Sequence, residues 1–172
     1  MTLVTVVMPV YEAQDTLAAS IDGVRGQTFE DWHLVCVDDA SSDRSAAIVE
    51  EAAAQDPRVE LVRLPGRSGA AVARNTAIER SRGRYVAFCD ADDIWLPGKL
   101  EAQLEHARAT GSPLTFTAYA KIHGSDPVTS GEWRGSERIV HARDRVTYKD
   151  LRLENFIGCS TAMYDTEVFG RR

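Results

Sequence analysis

The first half of the chain alternates between short apolar runs and longer stretches in which apolar residues recur at a helical spacing. Leu3 to Met8 is apolar and β-branched almost throughout, which is typical of a strand buried on both faces of a parallel sheet. After it, Leu17, Ile21 and Val24 recur at intervals of four and three residues, as on the inward face of a helix. These two segments predict a first βα unit.

The same alternation is repeated along the chain to about residue 110. It predicts strands at His33–Val37, Val59–Leu64 and Arg84–Cys89, and helices at Arg44–Gln55, Ala70–Arg82 and after Pro97. Strands that alternate with helices of this length form parallel sheets with right-handed crossovers. We therefore expect an α/β sandwich with helices on the faces of the sheet.

The last third of the chain has a weaker pattern. Leu114 to Ile122 alternates loosely like a strand, and Gly124 to Gly135 is rich in turn-forming residues. A short helix around Tyr148 to Leu153 and a strand from Thr161 to Tyr164 complete the prediction. A length of 172 residues fits one domain, which we expect to span residues 1–172.

Charge and cysteine usage narrow the functional classes. The chain has 20 Lys and Arg residues against 26 Asp and Glu, a formal net charge of −6, which argues against a nucleic-acid partner. No apolar run approaches the ~20 residues of a membrane helix. Cys36, Cys89 and Cys159 are odd in number and far apart, which favours buried, reduced thiols. These features predict a cytoplasmic protein.

Acidic and polar residues follow three of the predicted strands. Pro9 to Glu12 comes after the first, Asp38-Asp39 after the second, and Asp90 to Asp93 after the fourth. Ligands of open α/β sheets bind outside the carboxyl ends of the strands, where these residues would meet. Short acidic residues also cap helices at such turns, which explains each cluster singly. Three clusters at successive strand ends favour a functional site.

Crowded carboxylates require a compensating charge, because like charges raise one another's pKa and cost folding free energy. Mg²⁺ or Mn²⁺ suits oxygen ligands, and such ions take one or two carboxylates together with phosphate oxygens. This chemistry predicts a nucleoside diphosphate bound through a divalent cation. Asp39, at another strand end, is placed to accept from the base or the ribose, and Tyr11 to cover the base.

These motifs, in this order, resemble those of the family 2 glycosyltransferases. The similar segments are Val6 to Tyr11, Gln27-Thr28-Phe29, Val37 to Asp43, Gly69 with Ala73-Arg74-Asn75, and the Asp90-Ala91-Asp92 element that matches the family's DxD motif. The resemblance covers essentially the whole chain. It implies the GT-A fold, a three-layer α/β sandwich with a mostly parallel central sheet.

The resemblance also implies roles for individual residues. The nucleotide-sugar site would comprise Pro9, Tyr11, Glu12, Asp39, Arg74 and Asp90, and the ligands of Mg²⁺ or Mn²⁺ would be Asp90 and Asp92. Asp92 is favoured as the direct ligand, whereas Asp90 has the alternative of contacting the ribose. Asp93 is expected to cap the next helix. An Arg on an amphipathic helix is more often a solvated or ion-paired surface residue, which is the alternative for Arg74.

The reaction implied is transfer of a sugar from a nucleoside diphosphate, with a UDP-sugar favoured, to a hydroxyl acceptor with inversion. The setting would be cell-surface polysaccharide synthesis, with a saccharide or lipid-linked acceptor and peripheral contact with the inner face of the membrane. Inversion requires a base that deprotonates the acceptor. In this family the base is an Asp downstream of the strand predicted at Thr161 to Tyr164.

That Asp is expected beyond Arg172, so no catalytic residue is assigned, and the domain is expected to end before the acceptor-side base. The alternative is therefore a non-catalytic nucleotide-sugar-binding fragment. Self-association into a homo-oligomer is one way to cover the apolar surface that such an ending leaves.

A haloacid dehalogenase-type phosphatase is disfavoured, because its acidic pair should follow the first strand rather than the fourth.

Overall fold

The computed structural model describes residues 3–121, 139–152, 155 and 157–171. The strands are β1 Val4–Val10, β2 Trp32–Asp38, β3 Val59–Arg63, β4 Tyr85–Phe88, β5 Leu114–Phe116, β6 Tyr119–Ala120, β7 Ile139–Val140 and β8 Ala162–Asp165. The helices are α1 Leu17–Arg25, α2 Ser45–Gln55, α3 Ala70–Glu79, α4 Lys99–Thr110, α5 Tyr148–Leu151 and α6 Thr166–Phe169. A 3₁₀ turn at Cys159–Thr161 precedes β8.

The central sheet has six strands in the order β3-β2-β1-β4-β8-β5. Strand β1 pairs in parallel with β2 and β4, and β2 pairs in parallel with β3. One face packs Val6 and Met8 into a core with α1, α2 and α4, and the opposite face packs Val7 against α3. The predicted α/β sandwich with a mostly parallel central sheet is confirmed.

The far side of the sheet differs from the parallel pattern of the first four strands. Strand β8 pairs antiparallel with both β4 and β5, so the carboxyl-terminal strands add an antiparallel edge. The single strand predicted at Leu114 to Ile122 is wrong, since the segment forms β5 in the main sheet and β6 in a separate pair with β7. The turn-rich segment from Gly124 to Gly135 lies outside the described residues.

A buried glutamine explains how α4 is placed at the same end of the sheet as α1. The Gln27 amide donates to the carbonyls of Gly23 and Leu96, at 3.0 and 2.8 Å, and its oxygen accepts from the N–H of Leu100 at 3.0 Å. Pro97, after which the sequence predicts a helix, precedes the first residue of α4 by two positions. The segment between β4 and α4 is thereby held against α1.

Two further expectations concern the burial of the cysteine thiols and the absence of a membrane-spanning helix. All three cysteines are free, and Cys36 and Cys89 are buried as expected. The expectation is wrong for Cys159, which is exposed because it begins the 3₁₀ turn rather than a strand. Burial raises the pKa of Cys36 and Cys89 above the ordinary range. Among the residues described, no helix has the length and apolar character to cross a membrane.

Candidate functional site

One cavity of about 400 Å³ lies at the carboxyl ends of β1, β2 and β4. Because these three strands are neighbours and parallel, the loops that follow them meet at the same edge of the sheet. All the residues that the sequence assigned to the site line this cavity: Pro9, Tyr11, Glu12, Asp39, Arg74, Asp90 and Asp92. The structure therefore brings the three acidic clusters into one site, although their roles stay predictions.

The loops after β1 and β2 are joined by side-chain hydrogen bonds. A carboxylate oxygen of Glu12 accepts from the Ser42 N–H at 2.8 Å and from the Ser42 hydroxyl at 2.9 Å. The Ser45 hydroxyl accepts from the N–H of Ala13 at 2.8 Å. Glu12 thus connects two loops, a structural role that the resemblance did not imply. It also fixes the wall of the cavity before any ligand binds.

Asp39 is a buried carboxylate, with only 3% of its surface exposed. Its two oxygens accept from the N–H groups of Ser68 and Gly69, at 2.6 and 2.7 Å. Gly69 adopts a φ of 93°, which an L side chain rarely tolerates, and α3 begins at the next residue. Asp39 therefore fixes the approach to α3. Each carboxylate oxygen has a second lone pair, so the contact predicted with a ligand is still available.

Tyr11 and Arg67 form a stacked pair at the cavity. The guanidinium carbon of Arg67 lies 4.3 Å from the centroid of the Tyr11 ring, and both residues line the cavity. Tyr11 is 40% exposed, as a residue that covers a base requires. The sequence did not assign Arg67, because a single Arg in a turn of Pro and Gly residues has no periodicity that distinguishes it from a solvated charge.

Arg74 and Asp90 form an ion pair in the wall of the cavity. Nη2 of Arg74 lies 2.6 Å from Oδ1 of Asp90, and each side chain is 27% exposed. Burial opposes the charge of Arg74, but the hydrogen bond and charge of Asp90 outweigh it and raise the pKa of the guanidinium. The Nε of Arg74 is buried and has no hydrogen-bond partner among the described residues. Arg74 is thus ion-paired and only partly exposed, and its contact with a ligand stays a prediction.

The acidic turn, which we define as Asp90 to Asp93, holds carboxylates of different character. Asp92 is exposed and makes no hydrogen bond or ion pair to another described residue. Burial raises the pKa of Asp93, the Ser160 hydroxyl opposes this rise, and the charges of Asp92 and Asp90 add to it. Asp93 does not cap the next helix as expected, because the N-cap of α4 is Gly98 and carries no side-chain hydrogen bond.

The donor set of the acidic turn fits a partial cation site. One oxygen of Asp90 is occupied by Arg74, which leaves its second oxygen and the carboxylate of Asp92. Within the described parts of the chain, no three or more His, Cys, Asp or Glu side chains are placed to hold a metal ion. Mg²⁺ and Mn²⁺ commonly take one or two protein carboxylates and complete their shell with water and substrate phosphates. Two carboxylates beside a cavity meet that requirement.

The fold and this site define a nucleotide-sugar transferase architecture, and comparison with known proteins gives the family. The chain belongs to glycosyl transferase family 2, whose family model matches residues 5–171. It is 37% identical over 169 residues to the putative teichuronic acid biosynthesis glycosyltransferase TuaG of Bacillus subtilis, covering 98% of this chain and 64% of that protein.

A second relative is the Escherichia coli UDP-Glc:alpha-D-GlcNAc-diphosphoundecaprenol beta-1,3-glucosyltransferase WfgD. It is 36% identical over 163 residues, which cover 95% of this chain and 60% of that protein. The chain thus spans somewhat less than two thirds of the length of these curated relatives. The activities of the full-length relatives therefore enter only as support for a proposal.

Solved structures show the same fold at low identity. Staphylococcus aureus TarS residues 1–349 superpose with a TM-score of 0.69 and 22% identity, over 95% of this chain and 47% of that one. A mannosyltransferase of Pyrobaculum calidifontis, in complex with GDP-Man and Mn²⁺, gives a TM-score of 0.66 and 24% identity over 98% and 46% of the two chains. These similarities confirm the GT-A fold.

Proposed function

We propose that the chain binds the nucleoside-diphosphate sugar, with UDP as the nucleotide, for a sugar transfer in cell-surface polysaccharide synthesis. The observation that carries this proposal is a shared cavity lined by all the predicted site residues, including an exposed Asp92 that has no partner among the described residues. The names of the relatives TuaG and WfgD support the setting. The TarS 1–349 complexes with UDP and with UDP-GlcNAc support the nucleotide.

The residues of the cavity divide the work of donor binding. Asp39 accepts from the N–H of the base while it holds the approach to α3, and Tyr11 covers the base. Asp92 and the second oxygen of Asp90 hold Mg²⁺ or Mn²⁺. The cation, when bound, neutralises charge on the diphosphate leaving group. Arg74 keeps Asp90 in place and adds a positive charge beside the diphosphate.

Transfer with inversion further requires a base on the acceptor side. The carboxylates that line the cavity are already engaged: Glu12 by Ser42, Asp39 by two backbone N–H groups and Asp90 by Arg74. Asp92 is needed for the cation. This observation favours, as a second candidate, a chain that binds the donor without transferring the sugar. An assay of donor consumption with an acceptor separates the two candidates.

The remaining parts of the proposal concern the wider setting. We propose a single domain over residues 1–172, a saccharide or lipid-linked acceptor, and action at the inner face of the membrane. A lipid-linked acceptor is suggested by the diphosphoundecaprenol in the name of WfgD, which describes that protein. Sedimentation of the chain with and without acceptor-bearing vesicles tests the membrane contact.

The direct test is calorimetric titration of UDP, GDP and CDP into the chain with Mn²⁺ and with a chelator. The proposal expects UDP to bind more tightly than GDP or CDP, and binding to weaken when the cation is removed. UDP binding of equal strength with and without Mn²⁺ would contradict the cation site. Equal binding of all three nucleotides would contradict the assignment of the donor.

A further inference from the structure

The 3₁₀ turn at Cys159–Thr161 is joined to the acidic turn from a distant part of the sequence. The Ser160 hydroxyl oxygen accepts from the N–H of Asp90 at 2.8 Å, across 70 residues of chain. The carbonyl of Ser160 accepts from Nε1 of the buried Trp95 at 3.0 Å. Ser160 is itself buried. The backbone of the acidic turn is therefore held on one side by a residue outside its own loop.

The Ser160 hydroxyl fixes the start of the turn that carries both proposed cation ligands. Asp90 donates its N–H to this hydroxyl directly, and Asp92 lies two residues further along the same turn and lines the cavity. The turn is closed by a hydrogen bond from the N–H of Asp93 to the carbonyl of Asp90 at 3.1 Å. Alanine at position 160 would leave the Asp90 N–H without its acceptor.

The residue before Ser160 lies next to the Arg74–Asp90 ion pair. Burial raises the pKa of the Cys159 thiol, the charge of Asp90 adds to this rise, and the charge of Arg74 opposes it. The 3₁₀ turn thus lies beside the ion pair and is joined to the backbone of Asp90 through Ser160.

We propose that Ser160 is a positioning residue for the cation-binding carboxylates: it fixes the backbone of Asp90 at the start of the turn that carries both of them. This inference rests on the proposed function, since it concerns the same site. Its physical basis is that a carboxylate site for Mg²⁺ or Mn²⁺ depends on two oxygens at a fixed separation. Without the hydrogen bond from Asp90 to Ser160, the acidic turn no longer keeps these two oxygens at a fixed separation.

The test compares the affinity for UDP with and without Mn²⁺ in the Ser160→Ala and Ser160→Thr variants. Ser160→Ala is expected to lower the Mn²⁺-dependent affinity by about tenfold, the effect of one buried hydrogen bond, and to leave cation-free binding unchanged. Ser160→Thr keeps the hydroxyl and restores the Mn²⁺ dependence. A merely structural role would weaken both kinds of binding equally, and that result would overturn the proposal.

Ser81→Ala is the matched control, because Ser81 is also buried but its hydroxyl has no partner among the described residues and does not line the cavity. It should retain the full Mn²⁺ dependence. If Ser160→Ala does not fold, Ser160→Cys keeps the volume with a weaker hydrogen bond and should show a partial loss. An unchanged Mn²⁺ dependence in a folded Ala or Cys variant refutes the role of Ser160. Cation-independent binding by the unsubstituted chain refutes the proposed function instead.

Discussion

The loops after β2 and after β4 lie at the same edge of the sheet and begin with similar acidic residues, but their carboxylates have opposite environments. Asp39 is buried, and both of its oxygens accept backbone hydrogen bonds from the approach to α3. Asp92 is exposed at the cavity and has no partner among the described residues. The first carboxylate stabilises the fold as well as lining the cavity, whereas the second has no partner among the described residues that ties it to the fold.

This difference shows why the type and position of a residue do not fix its role. A carboxylate that satisfies two buried N–H groups contributes to folding whether or not a ligand is present. A carboxylate that remains exposed beside other acids adds repulsion to the folded state. Its cost is offset only when a cation binds, which makes the loop after β4 the part of the site that should respond to metal.

The largest effect is expected from Asp39→Ala. The substitution leaves the N–H groups of Ser68 and Gly69 without acceptors, so the free energy of unfolding should fall by about 3 kcal/mol. Binding of UDP should also be lost. Urea unfolding followed by circular dichroism measures the first effect and calorimetry the second. Asp39→Asn keeps one acceptor oxygen, so its free energy of unfolding should lie between those of the unsubstituted chain and Asp39→Ala. An Asp39→Ala variant of unchanged stability would contradict the structural role of Asp39.

Asp92→Ala should change ligand binding and leave the stability of the fold almost unchanged. Because the side chain has no partner among the described residues, the free energy of unfolding should change by less than about 0.5 kcal/mol. The affinity for UDP in Mn²⁺ should fall to the value measured in chelator. Glu105→Ala is the control, since it removes the same charge from an exposed position on α4. A variant that still binds UDP more tightly with Mn²⁺ than without it would show that Asp92 is not a ligand.

The sequence could predict the parallel part of the sheet and the meeting of the acidic clusters, because both follow from local patterns. Apolar runs and helical spacings mark β1 to β4, and parallel neighbours bring the residues after them together. The antiparallel placement of β8 depends on pairing between distant segments. Ser160 and Arg67 were missed for the same reason, since their importance comes from contacts with Asp90 and Tyr11 that no spacing reveals.

A substitution in the Arg74–Asp90 ion pair should have opposite effects on the binding of Mn²⁺ and of UDP at the loop after β4. Arg74→Gln removes a positive charge next to the carboxylates but keeps a hydrogen-bond donor for Asp90, so Mn²⁺ alone should bind several-fold more tightly to the variant. UDP should bind several-fold more weakly, because the charge beside its diphosphate is lost. Titrations of each ligand separately provide the measurement. Weaker binding of both ligands would indicate that Arg74 acts by holding Asp90 in place and that its charge contributes little.

The last effect is a pH dependence of stability in the helix that follows the loop after β4. Lys99 begins α4, lies 3.9 Å from the centroid of the Trp95 ring and donates to the Gln103 amide oxygen at 2.6 Å. Burial lowers its pKa to about 7, and the Cys89 thiol opposes this shift only in part. The unfolded chain, with an ordinary lysine pKa near ~10.4, then binds more protons than the folded chain between pH 7 and pH 10.

Because the unfolded state binds more protons in that range, the Lys99 contribution to stability rises with pH, by at most about 1.4 kcal/mol per pH unit. Lys99→Met should remove this slope. The variant should therefore gain most relative to the unsubstituted chain at pH 7 and below, and the difference should shrink toward pH 10. The effect of the buried Cys36 thiol is common to both chains and cancels in the difference, whereas the interaction between Lys99 and Cys89 is lost with the substitution and is part of the measured difference. A difference in unfolding free energy that stays constant from pH 7 to pH 10 would show that Lys99 keeps its proton in the folded protein over this range. Lys99 would then be an ordinary charged lysine, and the pKa shift would be wrong.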